Sequence, residues 1–355
     1  MIPKLKNGIA LFALVQIFFV QWVGHYPEWI EIYYSEGIYP IIAMFLRTLF
    51  GWIPFSVGDL GYAILVVISI RYLVFHKHEI VKKPLNFIRD IVMIFSVVFF
   101  VFHLFWGMNY YRKPVISKFD IPESIGANHV SAFTDKLIKR TNKLQYDLTT
   151  DSLLAVVLPY SKSEVFELTS SSYENIEKTY PFLKYERPSL KSSLFSKMLS
   201  YMGYGGYLNP FTNEAQVNGL LPLYRLPVVS GHEVGHQLGY SSETDTNFIG
   251  ILTIAHSEDP YYQYAAHSYA LAYILNLWQQ KDEPTFKKYI QQLNPGVKKN
   301  YQEIADFWMF HENPLEPIFK SVFDTFLKVN NQELGIQSYS KVTDLLLRYD
   351  YHIGL

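Results

Sequence analysis

Uncharged apolar runs dominate the first 110 or so residues of the chain, and amphipathic patterns take over afterwards. Gly8–Gly24 is built mainly from Ile, Leu, Phe and Val without a charge, and Ile91–Met108 is also uncharged and holds Phe95, Phe99, Phe100, Phe102 and Phe105. Both are long enough to cross a bilayer, which takes roughly 17–25 apolar residues in a helix. A third run, 53–75, has Asp59 near one end and Arg71 near the other, where each can reach a headgroup region. Trp22, Trp29, Trp52, Trp106, Tyr110 and Tyr111 fall near the run ends, as an aromatic belt requires. The pattern predicts a membrane region at 1–112 with three transmembrane helices, 8–24, 53–75 and 91–108.

Basic residues give this region an orientation. Lys4 and Lys6 precede the first run, and Lys77, Lys82, Lys83 and Arg89 lie ahead of the last, whereas the stretch after the first run carries Glu28, Glu31 and Glu36 against Arg47 alone. By the positive-inside rule the N-terminus and the 76–90 loop are cytoplasmic, and the chain beyond 108 is extracytoplasmic. Counting the apolar segment 38–50 as a crossing would export the basic loop, so it is expected to be interfacial or re-entrant. No small-x-small cleavage site follows Val20, so the first run is expected to stay as an anchor rather than a signal peptide. The expectation is a multi-pass protein of the cell membrane with the lipid bilayer as a partner.

From 113 to 355 the periodicity is that of a folded extracytoplasmic domain. Ser131–Leu144 and Glu164–Glu177 read as amphipathic helices, and Phe248–Ala255, Ser268–Trp278, Ile318–Leu327 and Val342–Leu347 as packing helices. Glu214–Leu220 alternates like a strand, and Leu226-Pro227 opens a helix with proline in its first turn. The fold class expected is α-rich (α+β), with a small sheet. A net charge of −1 gives no footprint for nucleic acid, and zero cysteines exclude disulfides, iron–sulfur clusters and thiol catalysis.

Candidate chemistry concentrates in Gly231-His232-Glu233-Val234-Gly235-His236, an HExxH motif. In a helix His232 and His236 lie one above the other on one face, able to hold a Zn²⁺ ion at about 2.0–2.1 Å each. Glu233 sits about 100° around the helix, in reach of a zinc-activated water as general base without being a ligand. The motif implies zinc-dependent peptidase chemistry on a peptide or protein substrate. A third ligand is sought just downstream. Gly239 is a plausible helix-ending residue, and Ser241 or Ser242 can cap a new helix carrying Glu243 and Asp245. The metzincin pattern would need histidine where Ser242 stands, so a carboxylate reading survives, with Glu243 preferred and Asp245 the alternative.

The run His232–Tyr240 followed by Glu243-x-Asp245-x-Asn247-Phe248 resembles the DUF3810 family of bacterial membrane proteins. Trp106-Gly107-Met108-Asn109-Tyr110-Tyr111-Arg112, Asn209-Pro210-Phe211-Thr212-Asn213-Glu214-Ala215 and Gly335-Ile336-Gln337-Ser338-Tyr339 match as well, so the resemblance covers nearly the whole chain. Asp245-Thr246 departs from the family's usual Glu-Ala, which weakens Asp245 as a ligand more than Glu243. The resemblance implies a gluzincin-type, zincin-like domain, Glu243 as third ligand and Asn247 as a residue orienting a ligand.

The strand at Glu214, Gln216 and Asn218, just before the motif helix, is expected to be an edge strand that pairs with substrate. Tyr264, His267 and Tyr269 are candidate oxyanion or substrate contacts, with His256, Tyr261 and Tyr262 nearby; packing is the bland alternative in a chain with 28 tyrosines. His311-Glu312 precedes Asn313-Pro314, which breaks a helix, so it is no second zinc motif. The motif's distance in sequence from the last membrane run argues against cleavage inside the membrane. The other readings are a non-catalytic zinc-braced scaffold or sensor, which would have no use for Glu233, and a zinc amidase of cell-wall peptides.

Overall fold

A computed structural model describes residues 3–122, 124–126, 128–330 and 339–355. Three helices are long and apolar enough to span a membrane: α1 (Pro3–Gly24), α4 (Val57–Phe75) and α6 (Pro84–Phe105). Helices α1 and α6 pack side by side, tied by Lys6 to Asp90 at 2.7 Å and by Gln16 Nε2 donating to Ser96 Oγ at 2.8 Å. The helix bounds differ from the apolar runs for local reasons. Ser56 caps α4 by accepting from the Asp59 N–H, which moves the start from 53 to Val57. Helix α6 begins at Pro84, and Arg89 and Asp90 pair within it. It ends at Phe105 rather than Met108 because Gly107 enters a 3₁₀ turn where a Cβ would lie 2.6 Å from the Phe102 ring.

Between the first two spans the chain forms α2 (Pro27–Trp29), a wide π-type turn (Ile30–Ile38) and α3 (Tyr39–Phe50). At twelve residues α3 is too short to cross a bilayer. Its buried face carries Tyr39, Ala43, Leu46 and Arg47, while Ile41, Met44, Phe45 and Leu49 are exposed. A short helix α5 (Lys77–Lys82) links α4 to α6.

Beyond Arg112 the helices α7 (His129–Thr149), α8 (Lys162–Ile176), α9 (Ser196–Met202), α10 (Leu226–Gln237), α11 (Glu243–Ala255), α12 (Pro260–Lys281), α13 (Glu283–Gln291), α14 (Pro295–His311), α15 (Glu316–Val329) and α16 (Tyr339–His352) surround one small sheet. Helix α8 starts at a capping box: Ser161 and Glu164 exchange side-chain and backbone hydrogen bonds. The main core gathers around α10, α11 and α12 and includes Phe248, Ile251, Leu271 and Tyr173. Helix α14 ends at His311, as the following Asn313-Pro314 dictates. The matching residues 335–338 lie outside the described residues.

The sheet has the order β1 (Leu190–Ser192), β3 (Glu214–Val217), β2 (Gly206–Asn209), with β1 parallel and β2 antiparallel to β3. The strand expected at the edge is therefore the central one. Glu214, Gln216 and Asn218 are fully buried and engaged with the chain itself. Glu214 accepts from the N–H groups of Val57 (3.1 Å) and Gly58 (2.6 Å), placing a carboxylate at the N-terminus of α4, and is ion-paired with Lys191. Gln216 donates to Ser56 Oγ at 2.7 Å, and Asn218 to Ser200 Oγ at 2.9 Å.

The Lys191–Glu214 pair is buried on both sides, so Lys191→Met strands a buried carboxylate and should destabilise the protein by about 3 kcal/mol. The exposed pair Lys184–Glu186 is the control, with Lys184→Met expected within about 0.5 kcal/mol. Thermal unfolding of the full chain in detergent checks this; equal midpoints for the two variants would contradict the assignment.

Candidate metal centre

Helices α10 and α11 approach at glycines. A Cβ on Gly231 would sit 3.2 Å from the Cα of Gly250, one on Gly250 would meet His232 N at 2.8 Å, and one on Gly235 would meet Thr246 at 3.1 Å. Larger residues would push the helices apart, and the gap matters because α11 carries the third acid. Gly239 (φ +84°) ends α10 in the left-handed region: Tyr240 N–H bonds Gly235 O at 3.1 Å and Gly239 N–H bonds His236 O at 3.0 Å, the Schellman pattern. Ser242 then caps α11 by accepting from Asp245 N–H. The reversal turns Glu243, the first residue of α11, back toward the histidines.

With the proton on Nδ1, His232 donates to Asn247 Oδ1 at 3.1 Å and His236 donates to Tyr240 O at 2.8 Å. Both Nε2 atoms then face Glu243, whose Oε2 lies 3.4 Å from His232 Nε2 and whose Oε1 lies 3.6 Å from His236 Nε2. Asn247 also donates to Glu243 O at 2.7 Å, holding ligand helix and ligand ring together. A ligand atom of Glu233 lies within 4.8 Å of one from each histidine. Atoms held 2.0–2.1 Å from zinc at tetrahedral angles stand about 3.3 Å apart, so the two histidines and Glu243 fit a zinc site.

Glu233 differs from Glu243 in its surroundings. Its side chain is buried, its Oε2 has no hydrogen-bond partner among the described residues, and a Cβ added at Gly206 would come within 2.6 Å of its Oε1. Burial pushes its carboxyl up to about 7, against the opposing pull of His232 and His236. For Glu243 burial also acts upward, but His232 and His236, when they carry a proton on Nε2 as well, outweigh it by hydrogen bonding and charge and hold the carboxyl well below the usual range. One acid is thus fixed as an anion facing two imidazoles, and its neighbour is poised to gain or lose a proton.

Asp245 points away from this cluster. Its Oδ2 accepts from Val115 N–H at 3.1 Å, and burial, opposed by that bond and by Arg112, pushes its carboxyl up to about 7. The oxyanion candidates also have other partners. Tyr264 OH donates to Asn300 Oδ1 at 2.8 Å, His267 Nδ1 bonds Gln263 O at 2.7 Å in its own helix, and Tyr269 lies under the Arg225 guanidinium at 3.7 Å. They face the α12 core, a helix phase that residue type alone does not reveal. The phenols that feel the Glu243 charge are Tyr110 and Tyr204; burial and that charge push Tyr204 up to about 12.

The carbonyl end of α10 is held by residues from the first 112. Trp106 Nε1 donates to His236 O at 3.0 Å, Tyr39 OH (2.7 Å) and Arg47 (3.3 Å) donate to Gln237 O, and Arg112 donates to Leu238 O at 3.2 Å. Arg112 also makes a two-point buried ion pair with Glu31 and lies 4.0 Å over the Tyr240 ring. Gln237 is tied in turn by its side chain to Asn213 O and Tyr185 OH. Trp106, Arg112 and Asn213 belong to the Trp106–Arg112 and Asn209–Ala215 runs, while Tyr39, Arg47 and Glu31 come from the segment before α4. They act on the site through backbone carbonyls, which a motif search does not register.

The chain matches the family described as Protein of unknown function (DUF3810) over residues 34–347 and belongs to it. No curated protein and no solved structure matches it.

A methyl group at Gly239 would combine left-handed strain with approaches of 2.9 Å to the Tyr39 ring and 3.0 Å to Asn109 Oδ1. Gly239→Ala should therefore cost about 1–3 kcal/mol. Gly61→Ala in α4, where no atom lies within 4 Å, serves as the comparison. Thermal midpoints in detergent decide; a Gly239→Ala protein as stable as wild type would rule out the tight reversal.

Proposed function

We propose that this DUF3810 chain is a membrane-anchored zinc metallopeptidase that hydrolyses a peptide bond of a peptide or protein substrate. The observation that carries the reading is the pair of 3.4 and 3.6 Å separations between the histidine Nε2 atoms and the two oxygens of Glu243, with each Nδ1 committed to a carbonyl oxygen. His232, His236 and Glu243 would hold the ion. When bound, zinc supplies Lewis acidity and acidifies a coordinated water toward a pKa of about 7. Three protein ligands leave one position open, as catalytic zinc sites do and structural ones do not.

Glu233 serves as the general base and then returns the proton to the departing amine. Its buried carboxyl keeps one oxygen without a hydrogen-bond partner among the described residues, free to take up the proton. Substrate pairing belongs to β2 rather than β3. Strand β2 has β3 on one side only, and Asn218 N–H bonds Gly205 O at 2.8 Å, so the alternation of the ladder turns the backbone of Gly206 and Leu208 toward the free edge. Gly206 is also the residue against Glu233, which brings an added strand beside the base.

Zinc content of the full chain purified in detergent is the primary test. One ion per chain is expected, kept in Glu233→Gln and lost in His236→Ala and Glu243→Ala. Wild-type protein that takes up no zinc would end the peptidase reading. Asn247→Ala should weaken zinc affinity about 10–100-fold by freeing the His232 ring. Gly206→Ala should keep zinc but lower peptide turnover about a hundredfold, because its Cβ would meet Glu233 Oε1 and the Gln216 carbonyl at 2.6 Å each and displace both base and strand, measured on a peptide library against wild type.

A further inference from the structure

Helix α15 displays an apolar stripe that is exposed among the described residues. Leu315, Ile318, Val322, Phe326 and Val329 are exposed, from 42% for Phe326 to 76% for Val329. Their spacing is helical, so all five fall on one stripe. Phe319, Phe323 and Leu327 form a second, adjoining stripe that turns inward, and Leu327 is buried. The remaining sector is charged, with Glu316 paired to Lys320 and Asp324 to Lys328. Three sectors, one packed on protein, one apolar and open, one charged, describe a helix lying at a boundary between protein, lipid and water. A water-soluble surface seldom leaves such a contiguous apolar face exposed.

The position of α15 says what covers the open stripe. Phe326 packs its ring 6.5 Å from Phe102 and 6.1 Å from Tyr110. Phe102 lies in the last turn of α6, whose Phe100 and Leu104 are themselves exposed apolar side chains of a candidate span. The stripe therefore continues the lipid-facing surface of α6 at the level where that helix ends. Just before α15, Met309 and Phe310 at the end of α14 are exposed at 67% and 77%. The inward stripe packs toward the candidate site: Leu327 shares a buried cluster with Trp106, whose indole donates to His236 O at 3.0 Å, and Phe323 packs 5.3 Å from the Tyr204 ring, whose hydroxyl donates to Phe319 O at 3.2 Å.

We infer that α15, with Met309 and Phe310, docks on the bilayer leaflet entered by the nearby end of α6. The inference rests on α1, α4 and α6 crossing the bilayer and is independent of the peptidase reading. It makes α15 the element between the lipid surface and the metal centre.

The absence of cysteine makes the test specific, since a single introduced cysteine takes the only label. The full chain carrying an environment-sensitive fluorophore at Val322→Cys or Ile318→Cys is placed in phosphatidylcholine nanodiscs, with nitroxide-labelled lipid or aqueous iodide as quencher. Leu65→Cys in α4 is the lipid-exposed reference, and Lys287→Cys, on an exposed side chain of α13, the aqueous one. Labels at 318 and 322 are expected to shift emission to the blue, to be quenched by nitroxide lipid and to lose most of the iodide quenching seen at 287. Iodide quenching equal to that at 287, with the Leu65 label in lipid, would overturn the docking of α15 alone. Protection from iodide without nitroxide quenching would also overturn it, in favour of a second copy or another chain segment on the stripe. A Leu65 label in water would remove the membrane premise and the inference with it.

Discussion

The end of a helix leaves carbonyl groups without partners, and in this chain the helix concerned is the one that carries both histidines. The carbonyls of His236, Gln237 and Leu238 are taken up by Trp106, by Tyr39 with Arg47, and by Arg112. Those donors come from two separate places in the first third of the chain, α3 and the Trp106–Arg112 run. Each is fixed in turn, Arg112 by Glu31 and the Tyr240 ring, Arg47 by Asn213, Tyr39 by the Asn213 amide. Four cooperating donors at one helix end do more than satisfy it. They fix the rotation and depth of α10, and with them the direction of two imidazoles whose useful tolerance is a few tenths of an ångström.

The same end of α10 controls where α11 begins. Gly239 reverses the chain, and Tyr240, whose carbonyl accepts from the His236 ring, lies under Arg112. A displacement of Arg112 would therefore be felt at His236 through Tyr240 and at Glu243 through the start of α11. The glycine crossing of Gly231 and Gly250 adds a second constraint, since it fixes the spacing of the two helices. The geometry of the His232, His236 and Glu243 cluster is thus a property of contacts made mostly by other residues.

Much of this was legible in the sequence, but unevenly. Helix existence followed from apolar period and caps, because those signals are local: Ser161 with Glu164, Ser242 ahead of Glu243, Gly239 after the motif. The position of Glu243 beside the histidines, with Asp245 turned to Val115, has the same local origin, since one reversal and one cap decide which acid faces them. Strand order did not follow. Glu214, Gln216 and Asn218 alternate as a strand whether central or at an edge, and what makes β3 central is a neighbour on each side, one drawn from residues 190–192. The polar side chains on β3 that suggested a substrate face are instead the acceptors and donors for Lys191, Ser56 and Ser200. Tyr264 and Tyr269, near the motif in sequence, are engaged with Asn300 and Arg225, while the phenols whose electrostatics register Glu243, Tyr110 and Tyr204, come from distant segments.

Distance along the chain misleads most about the membrane. His236 lies far beyond Phe105 in sequence, yet Trp106, the residue that ends α6, hydrogen-bonds the carbonyl of His236 and packs its ring 6.1 Å from the His236 imidazole. An indole spans only a few ångströms, so the histidine pair is tethered within about one side chain's length of the end of an apolar helix. Boundaries drawn from composition at residue 112 therefore separate two materials but not two mechanical units. Any tilt or shift of α6 is transmitted to the histidine helix through the Trp106 and Arg112 hydrogen bonds and an aromatic contact.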